Sequence, residues 1–173
     1  ALFGLVKFAT MLKNSPSMGA GEITLKGDSR ILPFGGVLRK TKVNELPQLW
    51  NVLVGDMSLV GPRPMVPNTF EKYSDDAQRV LNLVRPGLSG IGSIIFRDEE
   101  KFLDRSNNPQ DFYNSEIIPF KSDLEVWFVK NFSFGLYCKI VFVTIWVIVF
   151  SESKLPGKLF HGIPDRPGSL FVK

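Results

Sequence analysis

The sequence predicts an α/β or α+β fold with a small sheet and several helices, on three observations. Leu46, Leu49, Trp50 and Leu53 recur at helical spacing. Short apolar runs such as Leu2–Met11 and Ser93–Phe96 are bounded by glycine and proline. The segment Phe132–Phe150 is almost wholly apolar. With 173 residues, 44% of them hydrophobic against 22% charged, the chain suffices for one domain with a real core, and disorder is excluded as its general state.

Taken in order, Leu2–Met11 reads as a short buried strand. Lys13–Gly27, with Pro16, Gly19 and Gly21, reads as a loop holding a weak strand at Ile23–Leu25. The first clear helix begins at Asn44 as N-cap, tolerates Pro47 in its first turn and stops at Gly55. A second is expected over about Thr69–Leu83, capped by Asn68 with Glu71 three residues on. Its apolar stripe is Phe70, Tyr73, Ala77, Val80 and Leu81. Pro86-Gly87 marks a turn, and Gly90 and Gly92 lead into a strand at Ser93–Phe96. Asp98-Glu99-Glu100 reads as a solvated charge run. Helix resumes near Pro109 and continues, with a break around Pro119, to about Lys130. Residues 1–150 are thus expected to form the folded domain, and Ser151–Lys173, rich in proline and glycine, an irregular arm.

The apolar segment is bounded by length. Ile140–Phe150 as a helix measures roughly 16 Å, against a hydrocarbon core of about 30 Å. Starting at Phe132 gives a nominal span, but Lys139 then falls near its middle, where a charge costs about 3 kcal/mol. A core helix or an amphipathic helix at a membrane interface is therefore expected, rather than a crossing.

Composition narrows the chemistry. Cys138 is the single cysteine, which excludes an intrachain disulfide and a cysteine-based zinc site. His161 is the single histidine and lies in the arm, which argues against a Ser-His or Cys-His nucleophile system. Acid–base and metal chemistry then rests on carboxylates, Lys and Arg. A net charge of +4 suits a phosphate-bearing partner. Nucleic acid is not expected, because no recognised module interleaves aromatic with basic residues.

The segment Leu38–Pro64, LRKTKVNELPQLWNVLVGDMSLVGPRP, resembles the signature of the bacterial sugar transferase family, the monotopic polyprenyl-phosphate phosphoglycosyl transferases. Flanking pieces resemble the family in the same order. Lys7-Phe8-Ala9-Thr10-Met11 is similar to its Lys-Phe-Arg-Thr-Met strand, Asp28-Ser29-Arg30-Ile31 to its Asp-Pro-Arg-Ile step, and Arg85-Pro86-Gly87-Leu88-Ser89-Gly90 to its Lys-Pro-Gly-Ile-Thr-Gly turn. The similarity extends more loosely from Asp111 to about Phe150.

The resemblance implies a monotopic phosphoglycosyl transferase-like fold and a specific reaction. A phospho-sugar moves from a nucleoside diphosphate sugar, usually a UDP-sugar, to a polyprenyl phosphate, with Mg²⁺ required and UMP leaving. The implied setting is the cytoplasmic face of the bacterial inner membrane, with membrane lipid as a partner and a homodimer left open. Family members carry an N-terminal membrane-embedded helical hairpin. Nothing resembling it precedes Ala1, and because the sequence starts with Ala rather than Met, upstream sequence is expected to be missing. Attachment would then rest on the C-terminal apolar helix. In the family an Asp-Glu pair opens the signature helix, the Asp attacking the diphosphate and the Glu associated with the metal. The matching residues here are Asn44 and Glu45, with Glu45 the metal candidate.

The residues make independent sense of that site. A helix N-terminus favours phosphate, and a carboxylate beside it suits Mg²⁺, which takes oxygen ligands and bridges substrate phosphates. Arg39 and Arg63 can grip phosphate oxygens bidentately, and the prolines flanking Arg63 stiffen its backbone. Lys7 and Arg97 are further cationic candidates. Each also has a plain reading as a structural ion-pair residue.

Two positions depart from the pattern: Ala9 stands where the family has Arg, and Asn44 where it has the nucleophilic Asp. An amide caps a helix as well as a carboxylate does but cannot attack as one. Attack by Glu45, direct transfer and a catalytically inactive chain that binds nucleotide sugar or protein at the membrane all remain open at this level.

Overall fold

The computed structural model describes residues 2–18, 24–25, 27–97, 99–104, 106–150, 153, 155–165 and 167–168. Ile23 of the weak strand and Asp98 of the acidic run lie outside these residues, and Thr24 and Leu25 carry no regular structure. The fold is a helical body around a two-stranded parallel sheet. Strand β1 (Ser58–Val60) pairs with β2 (Gly87–Ser89), Ser58 opposite Gly87 and Val60 opposite Ser89. Parallel strands require a crossover, here supplied by α3 (Pro67–Phe70) and α4 (Asp75–Leu81).

Several expectations are corrected. Leu2–Met11 is extended but is no strand, because its backbone bonds go to side chains and turns. Val6 N–H donates to Asn51 Oδ1 at 3.0 Å, and Asn51 Nδ2 donates to the Gly4 carbonyl at 2.8 Å. Only Met11 forms a bridge, antiparallel to Ile31, and Leu2, Val6 and Phe8 are exposed. Asn44 caps nothing. After α1 (Gly35–Thr41) it lies inside a 3-10 turn, Val43–Glu45, and α2 (Gln48–Leu53) starts only beyond Pro47. The expected helix over 69–83 is two helices: α3 begins ahead of Asn68, and Ser74 caps α4, accepting from Ala77 N–H at 3.3 Å. The expected stripe nevertheless packs, with Tyr73, Ala77 and Leu81 buried against Ile118.

Ser93–Phe96 is not a strand. Ile91 and Ile94, three apart, are both buried, and this packing sets α5 (Ile91–Ile95) despite the β-favouring side chains. After α6 (Glu99–Leu103), Asn108 caps α7 (Pro109–Phe112), accepting from Asp111 N–H at 3.4 Å. A π turn, Tyr113–Ile117, joins α7 to α8 (Ile118–Lys130), and Pro119 sits harmlessly in the first turn of α8. The acidic run is not merely solvated. Glu99 pairs with Lys121 at 2.6 Å and Glu100 with Arg39 at 3.0 Å.

Helix α9 (Phe134–Val149) is capped by Ser133, which accepts from Leu136 N–H at 3.2 Å. Its 16 residues reach roughly 24 Å, and among the described residues no helix is long and apolar enough to cross a membrane. Ile140, Val143 and Val147 enter the main core with Ile91, Ile94, Leu124 and Phe128, whereas Phe142, Ile145 and Val149 face out. The stretch beyond 150 includes α10 (Leu155–Leu159), and Phe160 after it is buried in the same core.

A buried ion pair anchors the N-terminal segment. Arg30 Nε donates to Asp28 Oδ1 at 2.9 Å, and its Nη1 donates to the carbonyls of Ser15 and Met18 at 2.7 and 2.9 Å. The Arg30 guanidinium holds the Asp28 carboxyl far below the usual carboxylate range. The resulting stability is present above the ordinary carboxylate pKa and lost as pH falls below it. Arg30→Ala is expected to lower the melting temperature at pH 7 well beyond Arg79→Ala, whose pair with Asp76 is exposed. Equal losses in thermal melts would show the pair around Arg30 to be incidental.

Candidate functional site

The site begins with a strained reversal. Lys42 ends α1 in the left-handed region at φ 60°, which costs roughly 1 kcal/mol for a residue with a Cβ. The reversal turns the Val43–Glu45 segment so that Lys42 and Glu45 both line a cleft of about 200 Å³. Arg63, in the loop after β1, and Ser93 and Arg97, on and just beyond α5, add to its polar lining. Its apolar wall comes from α9, through Val141, Ile145 and Ile148, and Leu59 and Leu88 add to the apolar lining. Ser89 and Thr144 hydroxyls meet at 2.6 Å, tying β2 to that wall.

Glu45 and Arg63 form a two-pronged ion pair: Nη2 donates to Oε1 and Nη1 to Oε2, the second at 3.4 Å. The Glu45 carboxylate is 16% exposed. Burial pushes its pKa up, but Arg63, Lys42 and Lys7 pull harder, leaving it below the ordinary value and ionised at neutral pH. Burial pushes the Lys42 ammonium down against the pull of Glu45. Ser93 Oγ and Arg97 Nη1 are buried without a hydrogen-bond partner. Both can donate to an anionic oxygen, and both line the cleft. The lining suits an amphiphilic anion, since it offers cations and donors together with hydrocarbon.

Of the candidates named from sequence, Glu45, Arg63 and Arg97 come together in the lining. Lys7 is exposed on the N-terminal segment, outside the lining, yet near enough to act on Glu45. Arg39 also lies outside, paired with Glu100 at 3.0 Å. Asn44 is 9% exposed and absent from the lining; its carbonyl accepts from Phe8 N–H at 3.1 Å, and its Oδ1 is buried without a partner. Among the described residues no three His, Cys, Asp or Glu side chains gather to hold a metal. Sequence reasoning missed Lys42, although it lies in the signature, and missed Ser93. It also missed the α9 wall, whose apolar residues signal burial but not which partner they face.

The family model for bacterial sugar transferases matches residues 1–151. The chain is 34% identical over 162 residues to an undecaprenyl-phosphate galactose phosphotransferase of Salmonella typhimurium, covering 86% of the chain and 30% of that relative. It is 35% identical over 150 residues to a UDP-N-acetylgalactosamine-undecaprenyl-phosphate N-acetylgalactosaminephosphotransferase of Aeromonas hydrophila, covering 85% and 32%. A sugar transferase of Bacillus subtilis, EpsL, is 35% identical over 154 residues, covering 87% and 64%. The chain thus spans about a third of the length of the first two relatives.

Proposed function

Because the chain belongs to the bacterial sugar transferase family, we propose that it moves a sugar phosphate from a nucleoside diphosphate sugar to a polyprenyl phosphate, starting surface glycan assembly. A UDP-sugar is the proposed donor, as in the name of the Aeromonas hydrophila relative, and undecaprenyl phosphate the proposed acceptor. The observation that carries this reading is the mixed lining of the cleft. Lys42, Arg63 and Arg97 suit the phosphates, and the Val141, Ile145 and Ile148 wall suits a hydrocarbon chain. Exposed apolar side chains support attachment to a lipid surface: Phe34 just ahead of α1, Trp50 (61% exposed) and Leu53 (79%) on α2, and Phe142 on α9. The proposed location is the cytoplasmic face of the bacterial inner membrane.

The route proposed is direct displacement. An oxygen of the lipid phosphate attacks the sugar-bearing phosphorus; the bond from that phosphorus to the bridging oxygen breaks, and the nucleoside monophosphate leaves with the electron pair. Two observations favour this over attack by the protein. Position 44 carries an amide and lies off the lining, and Glu45, the lining carboxylate, is engaged by Arg63. Mg²⁺ fits Glu45, an ionised carboxylate that lines the cleft and offers oxygen ligands. Glu45 would hold the ion together with the donor's phosphates, and the ion would neutralise charge on the diphosphate.

Labelled UDP-sugar and undecaprenyl phosphate in detergent with Mg²⁺ should yield labelled lipid. Initial-rate lines should intersect, and no sugar-phosphate adduct should appear on the intact protein. An adduct by mass spectrometry would overturn direct displacement. The amide at position 44 favours a second reading, a binding module without turnover, and UDP-sugar binding without any product would select it.

Arg63 should dominate donor affinity. Arg63→Ala is expected to weaken UDP-sugar binding by about 10- to 150-fold, the range of a charge-assisted contact of about 1.5–3 kcal/mol. Arg63→Lys should recover only part of it, since an ammonium lacks the planar fork. Calorimetric titration giving parental affinity for both folded variants would reduce Arg63 to a structural partner of Glu45.

A further inference from the structure

Strand β2 and helix α9 meet at the cleft through two hydroxyls. Ser89 and Thr144 both line it, and Ser89 Oγ lies 2.6 Å from Thr144 Oγ1. One proton on each hydroxyl settles the direction of that bond. Thr144 Oγ1 donates to the Ile140 carbonyl, one helical turn earlier, at 2.7 Å, and a carbonyl can only accept. The proton of Thr144 is therefore engaged, and the one between the two hydroxyls belongs to Ser89. Ser89 Oγ keeps two lone pairs and no free proton, and Thr144 Oγ1 keeps one lone pair. Among the described residues no further donor reaches these oxygens.

Both residues stand on fixed backbone. Ser89 pairs with Val60 across the sheet, and its carbonyl accepts from Gly61 N–H at 2.9 Å. Thr144 follows Val143 on α9, and Val143 and Val147 are buried in the main core. The pair is thus a preorganised acceptor. The rest of the polar lining has the opposite character. Lys42, Arg63 and Arg97 only donate, and Ser93 Oγ is a donor without a partner. Glu45 only accepts, but Arg63 engages it. An ionised phosphate oxygen accepts and cannot donate, so it suits the cations and finds no bond at Ser89 or Thr144. A neutral ligand hydroxyl, which donates, suits the pair.

We propose that the Ser89–Thr144 pair determines specificity for the donor's sugar: it accepts a hydrogen bond from one sugar hydroxyl while the cations take the diphosphate. That the ligand is a nucleoside diphosphate sugar rests on the transferase reading above; the acceptor-only state of the pair does not. A site built to pair a substrate hydroxyl discriminates strongly against an analogue lacking it, because its own polar group is left unpaired. The two residues have separable roles. Ser89→Ala removes the acceptor with two free lone pairs. Thr144→Val keeps the shape but takes away the oxygen to which Ser89 donates, so the Ser89 proton becomes free to turn to the ligand.

Calorimetric titration of the folded chain tests this with UDP, UDP-galactose and UDP-N-acetylgalactosamine. Analogues of the tighter-binding sugar nucleotide, each with one sugar hydroxyl replaced by fluorine, complete the set. In the parent one replacement should weaken binding about tenfold, the size of one hydrogen bond lost with its acceptor left unpaired. In Ser89→Ala the unsubstituted sugar nucleotide should itself bind about tenfold more weakly, while UDP stays within about twofold of the parent. That one fluoro analogue should then carry no further penalty. In Thr144→Val its penalty should narrow, because Ser89 can donate to the fluorine. A pair that only ties β2 to α9 would lower the melting temperature in Ser89→Ala and leave the analogue's penalty in place, and that result overturns the proposal. Equal weakening of UDP and the sugar nucleotide overturns it too, by placing the acceptor on the nucleoside. So does a parent chain that binds UDP-sugars no more tightly than UDP, or that tolerates every fluoro analogue. If UDP itself does not bind the parent, the transferase reading fails and takes the sugar assignment with it.

Discussion

Glu45→Gln is expected to reduce phospho-sugar transfer by roughly two to three orders of magnitude, the size seen when one preorganised electrostatic group is removed from a reacting centre. Glu45 is the carboxylate that lines the cleft, and Arg63, Lys42 and Lys7 keep it ionised against the effect of burial. The amide retains size and one acceptor oxygen but loses the charge that holds Arg63 in a two-pronged pair and that suits Mg²⁺. Most of the loss should fall on kcat, and the Mg²⁺ concentration for half-maximal rate should rise. Donor affinity should change less, because Arg63 and Arg97 remain. Initial rates across a Mg²⁺ series, with circular dichroism to show that the fold is retained, decide the matter. A variant within threefold of the parent would remove Glu45 from the chemistry.

The largest stability effect is expected at Gly87. A Cβ there would lie 2.1 Å from the Gly61 nitrogen and 2.6 Å from both the Gly61 Cα and the Ser89 carbonyl oxygen. All three are backbone atoms of the paired strands or the loop after them, so no side-chain rotation relieves the clash. Gly87→Ala should therefore destabilise by at least about 3 kcal/mol, the upper end for overpacking, and should displace the loop carrying Arg63. Gly36→Ala is the matched control. Its Cβ would meet nothing within 4 Å on helix α1, where alanine is favoured over glycine by up to about 1 kcal/mol. Urea unfolding of the two variants should move in opposite directions. A Gly87→Ala protein as stable as the parent would show that β1 and β2 are free to separate.

The sequence by itself determined the local and ordered features. Leu38–Pro64 and its flanking pieces identified the family, because they are matches of residue and order that need no coordinates. The apolar positions Ala77 and Leu81 of α4, with Tyr73 ahead of its cap, were legible from their spacing and are buried together. The limited length of α9 was legible from residue count and Lys139. The tertiary structure alone decided what depended on contacts distant in sequence. The runs at Leu2–Met11 and Ser93–Phe96 have strand-like composition, but the first finds Asn51 and Asn44 instead of a neighbouring strand. The second buries Ile91 and Ile94 as a helix. Strands formed instead at Ser58–Val60 and Gly87–Ser89, where glycine lets two backbones approach; a three-residue strand has too little periodicity to be seen beforehand. Asn44 has the chemistry of a cap, yet it was turned inward by the left-handed Lys42 before it. Glu125 carries no motif, and its place against Gly92 exists only once α8 packs on α5. Spacing along a chain fixes which residues share a face, whereas the partner of that face is set by packing across more than sixty residues of intervening sequence, as between Arg63 and the α9 wall.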